Sequence, residues 1–274
     1  MNTNKNTVKE LAPAKIIKRQ RIGWYFYDWA NSAFPTTVIT LFLGPYLTSI
    51  ADKAAGADGL LDVFGMQIAA GSFYPYAVSL SVILQVFLLP ILGAIADYTD
   101  NKKLFLGAFA YLGSAATMGL YFLEGTNYML GGSLFVIANI CFGASMVMYN
   151  AFLNDISEPQ DRDRVSSKGW AFGYLGGGSL LLLNLFFYLN AESFGIDQNY
   201  AVRLCLCSAG LWWALFSIIP MIMLKIKKEN IKKLGKQDKV ISVGFKQLVE
   251  TIKNAKKYPK TMYFLVAYLF YNDG

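Results

Sequence analysis

The chain has 274 residues, 55% of them hydrophobic and only 16% charged, where a soluble domain carries about a quarter. It has a formal net charge of +7, three cysteines and no histidine. That balance excludes an ordinary soluble domain, and the missing imidazole removes the commonest proton relay and general base.

Residues 1–23 are hydrophilic and basic. The apolar run that follows is long and broken by polar groups, unlike the short, clean core of a cleaved signal peptide. Six stretches approach or exceed the roughly 20 residues needed to cross a bilayer: 24–50, 73–96, 104–123, 130–153, 170–189 and 204–224. They predict an all-α polytopic membrane protein. Its basic N-terminus, 1–23, is cytoplasmic, and its six-helix unit is 24–224. The longest external loop is 51–72, rich in Ala, Gly and Asp. A basic cytoplasmic segment, 225–260, follows the sixth span. There Phe245, Leu248, Val249 and Ile252 recur at helical spacing, the pattern either of an amphipathic helix on an anionic leaflet or of a solvated linker helix. The run "TMYFLVAYLFYNDG", 261–274, starts a seventh span and stops mid-pattern, which predicts that the chain is a fragment of a longer protein.

Of the 25 Lys and Arg, 23 lie on one side of these spans; only Lys53 and Arg203 lie on the other. Such alternation is the positive-inside pattern. It makes the basic charge topogenic rather than a nucleic-acid surface, and it places the N-terminus in the cytoplasm, with a bacterial inner membrane as the expected setting. Cys141, Cys205 and Cys207 all fall inside spans without ligand spacing, so neither disulfides, a metal nor a cofactor is expected.

Asp28 begins the polar stretch "DWANS" about 6–9 Å inside the first span, at 1.5 Å per residue. Asn31 and Ser32 share its helical face, and Pro35 frees a backbone carbonyl one turn on. An ionisable group in a span is expensive and normally faces the bundle interior. Two readings stand: a proton, cation or substrate site on a central pathway, or a structural hydrogen bond to a neighbouring helix. The fourth span carries a matching stripe of Asn139, Gly143, Met146 and Asn150, with Asn154 beyond, and the second carries Gln85 at mid-span. Each either lines a cavity or bonds across helices, a contact contributing only about 0.6 kcal/mol on average. In the fifth span Gly169, Gly173 and Gly177 recur every four residues, the spacing for close helix packing.

Two turns on the basic side carry charge. One holds Gly93, Asp97, Lys102 and Lys103. In the other, Asp155, Glu158, Arg162 and Arg164 are placed to form exposed ion pairs of about 0–1 kcal/mol each, suited to a latch that breaks repeatedly; the alternative is topogenic charge with incidental pairing.

"GAIADYTDNKK" resembles the loop signature of the major facilitator superfamily at Gly93, Asp97, Lys102 and Lys103, and departs from it at Tyr98 and Asp100. "YDWANSAF" at 27–34, "RVSSKGWAFGYLGGG" at 164–178 and "FYNDG" at 270–274 resemble the branch of that superfamily related to autophagy-linked vacuolar effluxers. The resemblance implies a major-facilitator-type six-helix half, built of two inverted three-helix repeats, plus the start of a seventh helix. A second half would complete a central cavity lined by the first and fourth helices. Asp28 and Asp273 would then stand on opposite walls, with the Asp97 turn as cytoplasmic hinge and latch. The implied partners are a small-molecule substrate, with amino-acid efflux as the carried-over activity, and the lipid bilayer.

The expected function is therefore secondary transport by alternating access, coupled to protons or cations through Asp28. A lipid or glycolipid flippase of the same fold is the nearest alternative. A membrane-embedded enzyme would need a nucleophile with a base, or a metal-ligand set; the scattered carboxylates and isolated cysteines offer neither, so no enzyme is expected. A purely structural membrane protein would bind no solute.

Overall fold

The computed structural model describes residues 3–226, with side chains from Lys15 on, and scattered positions between 249 and 267. Asp273 and the helical pattern at Phe245, Leu248 and Ile252 lie outside the described residues. Six helical segments are long and apolar enough to cross a membrane among the described residues, and the fold is that of an all-α polytopic membrane protein.

The first span is the longest, Lys15–Ala54. It opens with α1 (Thr3–Asn31), so the change from basic to apolar composition at 23/24 falls inside one continuous helix. Pro35 then removes a main-chain donor. The chain responds by widening into a π-helical segment, Phe34–Phe42, before α2 (Leu43–Ala54). Threonines serve carbonyl oxygens of the altered ladder: Thr36 Oγ1 donates to Ser32 O at 2.8 Å and Thr40 Oγ1 to Pro35 O at 2.9 Å. In a bilayer every such group must be satisfied internally, so the threonines make the irregular backbone tolerable at this depth.

The 51–72 segment is more ordered than its composition suggests. Strands β1 (Leu60–Val63) and β2 (Met66–Ala69) form an antiparallel hairpin with Val63 opposite Met66. Its two-residue turn has positive φ at Phe64 (53°) and Gly65 (83°), the signature of a type I′ turn. Buried Leu61 anchors the hairpin to the helices, and Tyr128 Oη donates to Asp62 O at 3.1 Å. The remaining spans are α3 (Phe73–Tyr98), α4 (Lys102–Gly119), α5 (Tyr128–Ile156), α6 (Arg162–Leu189) and α7 (Gln198–Met223). The Asp197 carboxylate caps α7 by accepting from the main-chain N–H groups of Asn199 and Tyr200. At this hairpin end Arg203 pairs with Glu124 and lies over the rings of Tyr121 and Tyr200. That accounts for one of the two basic residues set apart from the other 23.

The packing has internal symmetry. α5 packs on α3 and α4; α1 packs on α7 and α6; α4 packs on α7. Exchanging the first, second and third spans with the fourth, fifth and sixth maps this pattern onto itself. Because each set has three spans, the two sets run in opposite directions, the relation of an inverted repeat. Trp24, Tyr27, Phe34, Phe135, Phe152 and Trp213 fill the centre.

Closest approach is between α6 and α1. A β-carbon at Gly176 would stand 2.4 Å from the Trp29 carbonyl oxygen and 2.8 Å from Trp29 Cα, contacts that only backbone movement relieves. At Gly178, two residues on, nothing lies within 4 Å. Gly176→Ala is expected to destabilise the full-length protein in detergent by about 1–3 kcal/mol through overpacking. Gly178→Ala should be neutral or stabilising by up to ~1 kcal/mol through helix propensity. Thermal unfolding of the two variants side by side checks the contrast.

Candidate functional site

Asp28, Asn31 and Ser32 sit where α1 meets α5 and α6. Asp28 is 8% exposed and Asn31 1%, so the carboxyl lies inside a three-helix junction. On the α6 side it faces Gly173, where a β-carbon would lie 3.0 Å from Asp28 Cγ and 2.8 Å from Ser32 Oγ. One turn towards the hairpin end, a β-carbon at Gly177 would be 2.8 Å from Ser32 O. One turn the other way, at Gly169, it would be 2.4 Å from Trp24 Cζ3 and 2.9 Å from the Tyr149 hydroxyl. The four-residue glycine repeat brings two main chains together and leaves the polar side chains of α1 lying against bare backbone.

The third wall comes from α5. The Tyr149 hydroxyl faces the Asp28 carboxyl, and its ring stacks on Trp24 with centroids 4.2 Å apart and planes 9° apart. Trp24 Nε1 donates to Tyr149 O at 2.9 Å. Asn31 Nδ2 donates to Met146 Sδ at 3.0 Å. Beside it, between α5 and α7, the buried Tyr27 hydroxyl faces Ser145, Trp213 and Asn31. Neither tyrosine hydroxyl makes a well-formed hydrogen bond among the described residues. No ion pair among the described residues engages Asp28.

A second polar seam lies between α3 and α5. Asn139 Nδ2 donates to Ser81 Oγ at 2.7 Å, and one turn on, the Gln85 amide lies across Gly143, where a β-carbon would be 2.1 Å from Oε1. The two seams correspond under the internal symmetry. In the first, Asp28 meets Gly173 and Ser32 meets Gly177; in the second, Asn139 meets Ser81 and Gly143 meets Gln85. Each is a parallel helix pair with two contacts spaced by four residues. The α5 stripe therefore divides: Asn139 and Gly143 face α3, Met146 faces α1, and Asn150 and Asn154 are exposed. Asn150 is not brought to Asp28. Gly93, further along α3 towards the same end of the bundle, is likewise open, with nothing within 4 Å of a β-carbon there.

At the basic end the charges are arranged differently from the exposed pairs that the turns suggested. Asp155 pairs with Lys102, not with Arg162 or Arg164, and the two side chains are 0% and 5% exposed. Lys102 Nζ also lies 5.0 Å from the centroid of the buried Phe152 ring. The first turn of α4 tucks under the last turn of α5, which takes this pair out of solvent. Lys103 Nζ donates to Leu224 O at 2.8 Å, fastening α4 to the end of α7. Asp161 holds Arg164 at 2.8 Å and Arg21 at 3.0 Å, and Arg21 Nε donates to Ile156 O at 2.9 Å. Arg162 Nε is buried without a hydrogen-bond partner among the described residues. Asp97 and Gly93 are half-buried in the last turns of α3.

Sequence reasoning missed Tyr149, Trp24, Tyr27, Ser81 and Ser145. A signal existed for the first: Tyr149 follows Met146 by three residues, so it lies on the face drawn through Asn139 and Asn150, with a hydroxyl deep in an apolar run. A cavity of about 570 Å³ at the hairpin end, lined by residues that include Phe42, Tyr46, Tyr188 and Asp197, does not include Asp28.

The family model described as "Vacuole effluxer Atg22 like" matches residues 17–274. The chain belongs to this family. An uncharacterized MFS-type transporter, YxiO, of Bacillus subtilis (strain 168) is 32% identical over 263 residues, covering 95% of this chain and 58% of the relative. Autophagy-related protein 22-1 of Penicillium rubens is 23% identical over 360 residues, covering 94% of this chain and 60% of that protein. Autophagy-related protein 22 of Gibberella zeae is 34% identical over 155 residues, covering 50% and 24%. The chain thus spans somewhat more than half the length of the first two relatives. Family membership also makes it a major-facilitator-type chain, with the two-repeat packing described above.

The buried pair gives a prediction separate from Asp28. Removing the carboxylate, in Asp155→Leu, is expected to cost about 3–5 kcal/mol, because it strands the buried Lys102 charge. The double variant Lys102→Met/Asp155→Leu should recover most of that loss. Thermal unfolding of the purified full-length protein across the double-mutant cycle measures both.

Proposed function

We propose that the whole protein is a secondary active transporter that moves a small solute by alternating access, with Asp28 as its coupling group. The observation that carries this reading is a carboxyl inside a span, at the junction of three helices, that no ion pair engages among the described residues. A charge there is costly, and a site that gains and loses a proton or cation is one reason to keep it. The glycine wall of α6 supports the same reading, because it leaves the carboxyl beside backbone with no side chain to lock it.

In this reading a second six-helix half completes a cavity, with Asp273 across from Asp28 and the turn bearing Gly93 and Asp97 as the cytoplasmic hinge. The buried Lys102–Asp155 pair holds α4 to α5 as the halves rock, while the Arg21–Asp161–Arg164 cluster, being more exposed, is the contact able to break. The charge alternation supports a cytoplasmic N-terminus, with a bacterial plasma membrane as the setting. The family description as effluxers, with the resemblance to the vacuolar amino-acid branch, supports amino acids as the substrate class.

The test is reconstitution of the full-length protein in liposomes, with uptake of a panel of labelled amino acids under an imposed pH or sodium gradient. Asp28→Asn is expected to reduce gradient-driven accumulation at least tenfold while leaving substrate counterflow intact. Equal accumulation by the variant and the parent protein would remove Asp28 from the coupling.

A further inference from the structure

The hydroxyl of Tyr149 is the polar group of α5 that faces Asp28, and the structure spends four separate contacts on placing it. Its ring lies flat on Trp24, and the Trp24 indole N–H holds the Tyr149 carbonyl oxygen. The Tyr27 ring packs on it from the same helix as Asp28, at a centroid distance of 5.4 Å. Gly169 supplies the space, since any β-carbon there would meet both the Trp24 ring and the Tyr149 hydroxyl. A ring needed only as apolar filler does not require its hydroxyl, and this one is buried without a hydrogen-bond partner among the described residues.

We propose that Tyr149 is the positioning residue of Asp28, and that its hydroxyl sets how readily the carboxyl takes up and releases a proton. This rests on the reading of Asp28 as the coupling group, and takes the proton as the coupled ion. When Asp28 is ionised, the Tyr149 O–H donates to the carboxylate. When Asp28 carries a proton, the acid O–H donates to the Tyr149 oxygen. The proton gained or lost by the carboxyl exchanges with water in the opened cavity, and the tyrosine keeps its own proton throughout. The Trp24 clamp prevents the ring from swinging away between the two states.

The ionisable surroundings are few. On α1 the neighbour is Tyr27. α5 contributes Tyr149, and α6 presents Gly173 to the carboxyl, with Lys168 and Tyr174 exposed. The ionisable groups of α7 are Tyr200, Arg203, Cys205 and Cys207, all in its first three turns at the hairpin end. Tyr149 is therefore the group through which the carboxyl's protonation is most directly controlled.

The experiment needs no substrate. A hydrophobic carbodiimide modifies a buried carboxyl only in its protonated form, and peptide mass spectrometry reads the labelling of Asp28 in the full-length protein across pH. Tyr149→Phe removes a donor that favours the ionised form, so its half-labelling pH is expected to move upward by about one unit, a tenfold change in proton affinity. Gly169→Ala, which crowds the Trp24 ring and the Tyr149 hydroxyl while leaving both polar groups in the chain, should move it in the same direction. Far-from-site Gly178→Ala is the control and should not move it. Unchanged profiles in both Tyr149→Phe and Gly169→Ala would overturn the positioning role while leaving Asp28 as a titrating site. Labelling of the parent protein that does not vary with pH would overturn proton coupling at Asp28 and this inference together.

Discussion

Where α6 passes α1, side chains are reduced to hydrogen at Gly169, Gly173, Gly176 and Gly177, and the rest of the structure depends on the contact this allows. Lipid tails are as apolar as leucine, so helices in a bilayer associate through close packing and hydrogen bonding rather than through burial of apolar area. Gly176 lets α6 rest on the Trp29 main chain, which sets the separation of the two helices. Gly169 and Gly173, on the same face, then become a wall of backbone against which Trp24, Asp28, Ser32 and Tyr149 are arranged. The same glycines that hold the bundle together thus make room for its most costly side chain.

The first span is irregular for a related reason. Pro35 takes a donor out of the ladder, and the chain passes into a π-helical turn just beyond Asn31 and Ser32. Such turns often mark functional positions, because they change the direction of the side chains that follow. Here the change falls between the Asp28 junction and the hairpin end. Thr36 and Thr40 donate to the Ser32 and Pro35 carbonyl oxygens, so these two main-chain acceptors of the irregular stretch have side-chain donors.

The internal symmetry places Asn139 and Gln85 in the same context as Asp28. Both seams are parallel helix pairs in which a polar side chain meets a small residue twice, four residues apart. They differ in chemistry: one holds a carboxyl, while the other holds an asparagine hydrogen-bonded to Ser81 and an amide laid across Gly143.

Much of this was legible without coordinates. The six spans, the side on which the basic residues gather, the intramembrane position of Asp28 and the glycine spacing of the fifth helix all follow from local composition. Each reflects the direct encounter of a short stretch with lipid or water. Their partners do not. Spacing along α5 put Asn139, Met146 and Asn150 on one stripe, yet the first faces α3, the second faces α1 and the third is exposed, because a single helix meets different neighbours at different heights. Asp155 read as part of an exposed turn until the fold of α4 beneath α5 buried it against Lys102. Tyr149 looked like one aromatic among 17 tyrosines, and only the register of three helices brings its hydroxyl to Asp28. A linear sequence determines which residues enter the membrane, since that depends on each segment's own transfer energy. Which polar groups meet once inside depends on interhelical register, and that is decided by packing over the whole bundle.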